Sequence, residues 1–394
     1  MVMTESLKAT HASGADAGEW HAHIVRDETE LAALAPEWDD LCGRCSTSTA
    51  FLSSAWLLSW WRNYGQPGRL VVVLVRKGSR LVGAAALMRR RRFGISTLSP
   101  LGVGVSDFTD VLLDDTSAPE ASRQLARELT RLGGWQVIDL PEIPASSAMA
   151  RVIDAWPYRT WTLSGSVCLE LPVKPIEELI ATLPKSTART RLKKQRKIDA
   201  LGIENSMVSP ERAAEATATL LRLHQQQWAG RGMNPEHGRS RFTAHLAQAV
   251  PAMVERGQAH LVEYRLEGNV VAVDLLLGGH RLLCAYLYGM RPDLRQRIDV
   301  TQLLLSTDLS LAQRLGRPAL SLLRGDEPYK RRWRPREADN LRVVLAAGDG
   351  RKAAAAAYAG AIQVHRRLSH IVRSRLPGLR NSLRRLKTCL PYST

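Results

Sequence analysis

The stretch AHLVEYRLEGNVVAVDLLL, residues 259–277, carries the pattern that decides the fold. Two runs rich in Val and Leu flank a Glu-Gly-Asn turn, which predicts a β-hairpin. Residues 281–288 form a third apolar run and predict the next strand. A helical run at 301–315 and a strand-like run at 319–323 follow, so this part of the chain predicts an α+β module with a mixed sheet.

The same order of elements occurs earlier in the chain. Runs at 70–75 and 81–88, with a turn at Gly78, predict a hairpin that follows two helices, just as the hairpin at 259–277 does. The repeat predicts two tandem modules, 19–165 and 166–348, between a flexible lead (1–18) and a basic helical tail (349–394). Further helices are predicted at 27–41, 53–64, 121–132, 176–183, 185–200, 211–228 and 240–255, and further strands at 106–113, 136–140 and 167–171.

Length and composition narrow the function classes. The 394 residues are 45% hydrophobic and 24% charged, which excludes a disordered chain, a collagen-like repeat and a coiled coil. No apolar run reaches the ~18 residues of a membrane-spanning helix, and the first residues lack the apolar core of a signal peptide. The five cysteines include one C-x-x-C pair, Cys42 and Cys45, without the second pair that a structural zinc needs. We therefore expect a cytoplasmic protein without a metal.

Positive charge is concentrated at the C-terminus. The chain has 55 Lys and Arg against 38 Asp and Glu, and residues 351–394 hold ten of these basic residues and no acid. A helix is predicted at 351–376, with Ile362, Leu368, Ile371 and Val372 near helical spacing. Two interpretations remain open: the apolar face docks on the body of the protein, or the basic helix lies on the inner face of an anionic membrane.

A second basic region lies on the helix predicted at 185–200. The spacing of Arg189, Lys193, Arg196 and Lys197 places them on one broad face. This face is either a solvated surface or a site for a phosphate, a nucleotide-linked acceptor or RNA.

Several short motifs follow one another in a fixed order. They are Pro36-Glu37-Trp38-Asp39-Asp40-Leu41, Phe51-Leu52-Ser53-Ser54-Ala55-Trp56, Trp60-Trp61, Leu81-Val82-Gly83-Ala84-Ala85-Ala86-Leu87, Ser106-Asp107-Phe108-Thr109-Asp110 and Gly325-Asp326-Glu327-Pro328-Tyr329-Lys330-Arg331-Arg332-Trp333. The ordered set resembles the CelD-type acetyltransferases associated with cellulose biosynthesis. The last motif is close to that family's most specific signature, G-[DE]-E-x-Y-K-x-x-W.

This resemblance implies two tandem GNAT folds, as in the Fem peptidyltransferases. It implies that acetyl-CoA or another acyl-CoA lies in a splayed gap between two strands and acylates an amine of a sugar or small molecule, in exopolysaccharide or cell-envelope biosynthesis. Tyr329 would give a proton to the leaving thiolate, and Lys330 would hold a carbonyl oxygen, phosphate or carboxylate. Asp107 and Asp274 are candidate bases, against the alternatives of a turn cap and a paired buried carboxylate.

The chain departs from the family at the CoA pyrophosphate loop. Family members carry Ser-Pro-Gly where this chain has Ile298-Asp299-Val300, and an Asp there would cap the helix but repel a phosphate. The change is either harmless or a sign of a different donor. The candidate cofactor-binding residues are Arg295, Arg297, Val300, Thr301 and Gln302, and the candidate substrate-binding residues are Asp110, Arg189, Lys193, Trp228, Tyr286, Tyr288, Asp326 and Glu327.

Three functions follow as expectations. The first is an acyl-CoA-dependent N-acyltransferase. The second is a Fem-like aminoacyltransferase that takes its acyl group from aminoacyl-tRNA, for which the positive charge would serve the tRNA. The third is a non-catalytic protein that binds polysaccharide or membrane. The sequence does not specify an oligomeric state.

Overall fold

The computed structural model describes residues 18–229 and 234–375. The N-terminal half contains five helices and seven strands in this described part of the chain. They are β1 (Trp20–Val25), α1 (Glu28–Ala33), α2 (Ala35–Gly43), α3 (Ser54–Tyr64), β2 (Leu70–Lys77), β3 (Arg80–Arg92), β4 (Ile95–Pro100), β5 (Leu112–Leu113), α4 (Ala118–Arg131), β6 (Val137–Pro144), α5 (Met149–Asp154) and β7 (Thr160–Pro172).

The C-terminal half repeats this order of helices and strands. Its elements are α6 (Ile176–Ala181), α7 (Lys185–Asp199), β8 (Glu204–Met207), α8 (Ala213–Trp228), α9 (Ser240–Glu255), β9 (Ala259–Leu266), β10 (Asn269–Gly278), β11 (Leu282–Met290), α10 (Pro292–Arg297), α11 (Val300–Arg314), β12 (Ala319–Arg324), α12 (Pro328–Arg331), β13 (Arg336–Ala346) and α13 (Lys352–Arg375). The predicted α+β fold with a mixed sheet is confirmed.

One sheet runs through both halves and contains an exchange of strands at its centre. The strand order is β1-β2-β3-β4-β6-β13-β7-β12-β11-β10-β9-β8, with β5 paired to β3. Each half contributes an antiparallel hairpin and one parallel pair, β4 with β6 and β11 with β12. β13, from the end of the chain, pairs with β6 of the N-terminal half, whereas β7, from the first half, pairs with β12. The two halves therefore complete each other's sheets.

The main hydrophobic core also crosses between the halves. Helix α3 packs against α9, and the ring of Trp56 lies 4.4 Å from that of His245. Ser59 Oγ donates a hydrogen bond to the carbonyl oxygen of His245 (2.8 Å). A second core, between the C-terminal sheet and α6, α10 and α11, buries Trp333. This packing fixes the two halves against each other, so a cleft between them has defined walls.

Local sequence patterns failed at several elements. The helix predicted at 27–41 is two helices, because Pro36 begins a new helix after Leu34, although Asp27 caps the first as predicted. The strand predicted at 106–113 is mostly a loop, in which only Leu112–Leu113 pairs with β3. Strands β1, β4, β8 and β13 were not predicted. The lead at 1–18, apart from Gly18, and the part of the predicted tail after residue 375 lie outside the described residues.

The tail helix α13 docks on the sheet with one face. Tyr358 and Ile362 are buried against Val344, and Tyr358 Oη donates to Asp139 Oδ2 (2.7 Å). Leu368, which the docking interpretation also placed inside, is 56% exposed. Docking is therefore correct for Ile362 and wrong for Leu368, whereas the side chains of Ile371 and Val372 lie outside the described residues. Within the described residues, no helix has the length and apolarity needed to cross a membrane.

Candidate functional site

The parallel strands β11 and β12 form a fork. They pair only over Leu282–Cys284 and 319–321, although β11 continues to Met290 and β12 to Arg324. In β11, Tyr286 is an extra residue, because Leu275 pairs with Leu287 and the next residue, Leu276, pairs with Ala285. A bulge of this kind bends a strand, and the pairing with β12 stops just before it, at Cys284. A gap thus opens at the carboxyl ends of the two strands.

The bulge turns Tyr286 and Tyr288 to opposite faces of the sheet. Tyr286 packs in the core shared with the N-terminal half, 5.4 Å from the Trp56 ring, and its hydroxyl donates to the carbonyl oxygen of Val105 (3.1 Å). Tyr288 instead packs toward the second core and lies opposite Asp274. The candidate assignment of Tyr286 to substrate binding is therefore corrected, because this residue packs in the core, whereas Tyr288 stays a candidate.

Helix α8 brings His224 against Tyr288, and His237, from the segment before α9, lies beside His224. Gly289 allows this approach, since a Cβ there would lie 2.4 Å from the carbonyl oxygen of Leu220. His224 Nδ1 lies 2.8 Å from the carbonyl oxygen of Tyr288, and His224 Nε2 lies 3.2 Å from Nδ1 of His237. Burial lowers the pKa of both rings, that of His237 to about 4, so the pair is neutral at pH 7. Nothing in the sequence pattern singled out His237.

The end of α8 and the short helix α10 lie beside the open end of β11. Gln227 Oε1 accepts a hydrogen bond from the backbone N–H of Met290 (3.0 Å), which fixes the end of β11. The next residue, Trp228, lies 5.9 Å from the guanidinium of Arg295, within cation–π range. Burial raises the pKa of Tyr288, and the positive charge of the nearby Arg295 opposes this rise. The structure therefore brings Trp228, Tyr288 and Arg295 together.

The turn at α12 directly follows β12, the other strand of the fork. Lys330 is buried; its Nζ donates to the carbonyl oxygen of Arg324 (2.9 Å) and pairs with Glu327 (2.9 Å). Tyr329 is 42% exposed, and burial of its hydroxyl together with the Glu327 carboxylate raises its pKa. Gly325 has a φ of +117°, and a Cβ there would lie 2.5 Å from Glu327. The Gly-Asp-Glu-x-Tyr-Lys pattern is thus a tight turn that positions a lysine and a tyrosine.

Asp326 lies on the solvent-exposed side of the same turn. Its carboxylate forms an ion pair with Arg331, which also pairs with Glu337. This supports an interpretation of Asp326 as a brace for the turn, whereas Glu327 contacts Lys330 directly.

A polar cluster joins the turn to the N-terminal half. Asp107 forms an ion pair with Arg324, and Arg324 Nη1 lies 3.5 Å from Glu142 Oε1. Asn340 of β13 donates to the carbonyl oxygen of Asp107 and to Glu142, each at 3.0 Å. Burial raises the pKa of Asp107 despite the nearby arginine. The candidate base Asp107 therefore lies between the two halves, beside Lys330.

Two other predicted carboxylates lie elsewhere. Asp110 accepts hydrogen bonds from the backbone N–H groups of Val111, Ala148 and Met149, each at 2.8 Å, so it anchors a loop of the N-terminal half. Asp274 is buried opposite Tyr288 and lies beside the buried carboxyl group of Asp308 of α11. Its position favours the paired-carboxylate alternative over a base that touches substrate. Among the described residues, no group of three or more His, Cys, Asp or Glu side chains is placed to hold a metal.

The start of α11, where the pyrophosphate was expected, is closed. Asp299 caps the helix by accepting from the Gln302 N–H, and it also accepts from Arg191 Nη1 (2.9 Å) and Lys194 Nζ (2.6 Å) of α7. Although burial opposes it, these bonds hold the pKa of Asp299 below its usual range. Val300 and Gln302 are buried, and the Gln302 amide donates to the carbonyl oxygen of Arg191 (2.9 Å). The backbone N–H of Gln302 is therefore occupied by the Asp299 cap, and phosphate binding by Val300 stays a prediction.

Helix α7 has one buried arginine and several basic residues exposed to solvent. Arg191 is buried, with its guanidinium 4.4 Å from the Trp333 ring, next to the α12 turn. Arg189 and Lys193 point to solvent, and neither forms an ion pair with the described part of the chain. Thr301 is half-buried and Arg297 is exposed. Arg297 does not take part in the ion pairs of Asp299, which are with Arg191 and Lys194.

Comparison with known proteins identifies a GNAT-type domain that includes the β11–β12 fork. Residues 185–331 match the family described as an acetyltransferase (GNAT) domain. No curated protein matches the chain in sequence. Three similar solved structures show the fold alone, given their low identity. FemX has a TM-score of 0.56 and 11% identity, over 82% of this chain and 97% of its own. A conserved protein of unknown function from Bacteroides thetaiotaomicron has 0.51 and 12%, over 79% and 97%. L-PGS from Bacillus licheniformis has 0.50 and 13%, over 81% and 91%.

Proposed function

Because residues 185–331 form a GNAT-type acetyltransferase domain, we propose that this acyltransferase acylates an amine at the fork between β11 and β12. The observation that carries the proposal is the loss of strand pairing after Cys284, beside the side chains of Tyr288, Tyr329 and Lys330. An acyl group in this gap would lie between a sheet edge and a polar wall. The CelD-type acceptor, an amine on a saccharide or other envelope precursor, remains our proposal for the substrate class.

Acyl transfer to an amine needs three protein functions. As the amine nitrogen attacks the acyl carbon, a C–N bond forms and the bond to the leaving atom breaks, so the amine proton must go to a base and the leaving atom needs a proton. We assign the base to Asp107 and the proton donor to Tyr329, whose raised pKa keeps it protonated at neutral pH. Lys330, beside them, stabilises negative charge that develops on the carbonyl oxygen.

The donor is the point at which this chain differs from other GNAT domains. The start of α11 does not fit a CoA pyrophosphate, because the Asp299 carboxylate already caps the helix and occupies the donors of Arg191 and Lys194. An added pyrophosphate would meet a buried negative charge in place of open N–H groups. We therefore derive no step through CoA.

The exposed basic face of α7 favours aminoacyl-tRNA as the donor. Arg189, Lys193 and Arg196 face solvent on a helix whose other side packs next to the α12 turn through Arg191 and Trp333. A tRNA backbone on this face would need no phosphate at α11, since the polyanion is neutralised by exposed Lys and Arg. Its terminal aminoacyl ester would then enter the fork.

Direct binding measurements test the donor. Acetyl-CoA, a long-chain acyl-CoA and an aminoacyl-tRNA are each titrated by calorimetry and thermal shift, because a ligand bound only by the folded state raises the melting temperature. We expect micromolar binding of aminoacyl-tRNA and no binding of either CoA ester at millimolar concentration. Micromolar binding of acetyl-CoA would contradict the donor assignment, and binding of none of the three would favour the non-catalytic alternative.

The variant Asp299→Ser provides a matched control for this test. Serine keeps a side-chain cap on α11 but removes the charge, which leaves Arg191 and Lys194 facing the helix N-terminus. We expect this variant to gain weak binding of CoA, at millimolar concentration, while aminoacyl-tRNA binding is unchanged. If CoA binding stays absent although the variant is folded, the Asp299 contacts are not what excludes it.

A further inference from the structure

The tip of the β3–β4 hairpin and helix α13 meet to form one surface in the N-terminal half. Phe93, at the tip, lies with its ring 5.8 Å from that of Tyr358 and 6.4 Å from that of His365. Phe93 is nevertheless 46% exposed, and its φ of +52° is a left-handed conformation that bulky residues seldom adopt. A large apolar ring is thus held at the end of a hairpin, partly in solvent.

The adjacent face of α13 is also apolar and exposed. Val364 and Leu368 are each 56% exposed and lie one helical turn apart, next to the turn that Phe93 touches at His365. Three of the six large apolar side chains that are exposed in the described residues therefore gather at this place. Such clustering marks an interaction surface, whereas single exposed apolar residues do not.

The two elements that carry this apolar ridge are rich in basic residues. Neither β3–β4 (residues 80–100) nor α13 contains an Asp or Glu. Four arginines in a row, residues 89–92, lead to Phe93. Arg89, Arg91 and Arg366 donate to backbone carbonyl oxygens, which leaves their positive charge without a neutralising carboxylate in the described part of the chain. Arg92, whose guanidinium lies 4.9 Å from the Phe93 ring, is 3.9 Å from Asp139.

We propose that this surface, formed by Phe93, Val364, Leu368 and the arginines beside them, binds an anionic lipid bilayer. The three apolar side chains enter the boundary between head groups and acyl chains, and the arginines pair with lipid phosphates. Charge alone would suit RNA equally well, but exposed Val and Leu gain nothing from a polyanion. Their burial favours the bilayer. The inference is independent of the acyl donor, because it uses other residues.

Vesicle co-sedimentation tests the surface with the full chain. Vesicles of phosphatidylcholine alone and with 30% phosphatidylglycerol are compared at about 0.1 M salt. We expect binding only to the anionic vesicles, weakening as salt rises because the attraction is screened. The double variant Phe93→Asn, Leu368→Gln should bind at least ten-fold more weakly. Asparagine suits the left-handed conformation and glutamine suits a helix, so the fold is kept.

The control variant is Met207→Gln, which alters an apolar residue of edge strand β8 that is 42% exposed. It should bind vesicles as the unaltered protein does. A chain ending at residue 375 should also keep binding, since the proposed surface lies before that point. Unchanged binding by the double variant, or loss of binding by the chain ending at 375, would overturn the proposal. The proposal would also be overturned if the double variant weakened tRNA binding as much as it weakens vesicle binding.

Discussion

Tyr329 and Lys330 are neighbours in sequence but differ in what surrounds them. Lys330 is buried and holds the carbonyl oxygen of Arg324, so its removal would leave a buried acceptor without a donor. Tyr329 is 42% exposed beside Glu327 and Tyr288. A substitution of Lys330 therefore tests stability and chemistry together, whereas a substitution of Tyr329 tests the chemistry alone.

The variant Tyr329→Phe should lower turnover of the acyl donor by about 100-fold, because it removes the proton donor for the leaving atom. Its melting temperature should stay near that of the unaltered protein, since exposed substitutions change stability by about 0.5 kcal/mol or less. Single-turnover transfer and thermal unfolding measure the two effects.

The half-buried Tyr158 gives a matched control in the N-terminal half. Tyr158→Phe should leave turnover unchanged. A Tyr329→Phe enzyme with full activity would remove the hydroxyl from the mechanism, and a parallel fall in melting temperature and activity would make the residue structural.

Sequence reasoning found part of this site residue by residue. The Gly325–Trp333 pattern was found because a local turn brings its residues together. Tyr286 was misassigned, because one bulged residue reverses the alternation of β11 and strand periodicity cannot reveal it. His237 was missed, since its contact with His224 depends on how α8 and the following segment fold back.

At the scale of elements, a carboxyl pair connects β10 to α11. Asp274 and Asp308 are buried together near Tyr264, whose hydroxyl has no hydrogen-bond partner in the described structure. Burial raises the pKa of Asp274 to about 7. Burial and the negative charge of Asp274 together raise the pKa of Asp308 well above its usual range. The folded chain therefore holds protons that the unfolded chain releases near pH 4.

The contribution of this carboxyl pair to stability should consequently fall as the pH rises. A group whose folded pKa is raised contributes its full stability below about pH 4 and loses it as the pH rises through the folded value. For each such proton the free energy of unfolding declines by about 1.4 kcal/mol per pH unit. We expect Asp308→Asn to flatten this decline between pH 5 and 8 by up to that amount, as measured by urea unfolding.

The exposed Asp154, at the end of α5, provides the comparison. Asp154→Asn should show the same slope as the unaltered chain. An Asp308→Asn slope equal to that of the unaltered chain would mean that the pair is already ionised in the folded state.

Elements with a strong local period were the ones that sequence could predict. The hairpin of β9 and β10 alternates around a Glu-Gly-Asn turn, and α9 has its predicted bounds, 240–255. β13 was missed because its first half is polar, and only distant pairing with β6 and β7 makes it a strand. Edge strand β8 is exposed along its length, so no apolar alternation marks it.

At the scale of the whole molecule, the exchange of β7 and β13 makes the two halves one structural unit. Asn340 of β13 reaches Asp107 and Glu142 of the N-terminal half, and Arg324 of β12 reaches the same two carboxylates. The proposed acyl-transfer cleft therefore depends on both halves, although its fork belongs to one. A duplicated module could be predicted from the repeated order of elements, but the exchange of strands could not.

The molecule also has two separate basic surfaces, and they lead to different ligands. The exposed face of α7 lies near the fork through Arg191 and Trp333, whereas the arginines around Phe93 lie at the hairpin tip beside α13. We place the acyl donor on the exposed face of α7 and in the fork between β11 and β12. A measurement that locates the donor on the chain separates the two surfaces.

Hydrogen exchange with and without bound aminoacyl-tRNA is that measurement, because backbone amides exchange more slowly where a ligand covers or orders them. We predict slower exchange in three segments: 185–197 in α7, 285–291 at the open end of β11, and 325–333 in the α12 turn. The segments at 89–94 and 352–369 should be unchanged. Slower exchange confined to those last two segments, with none at the fork, would contradict the central claim that acyl transfer takes place between β11 and β12.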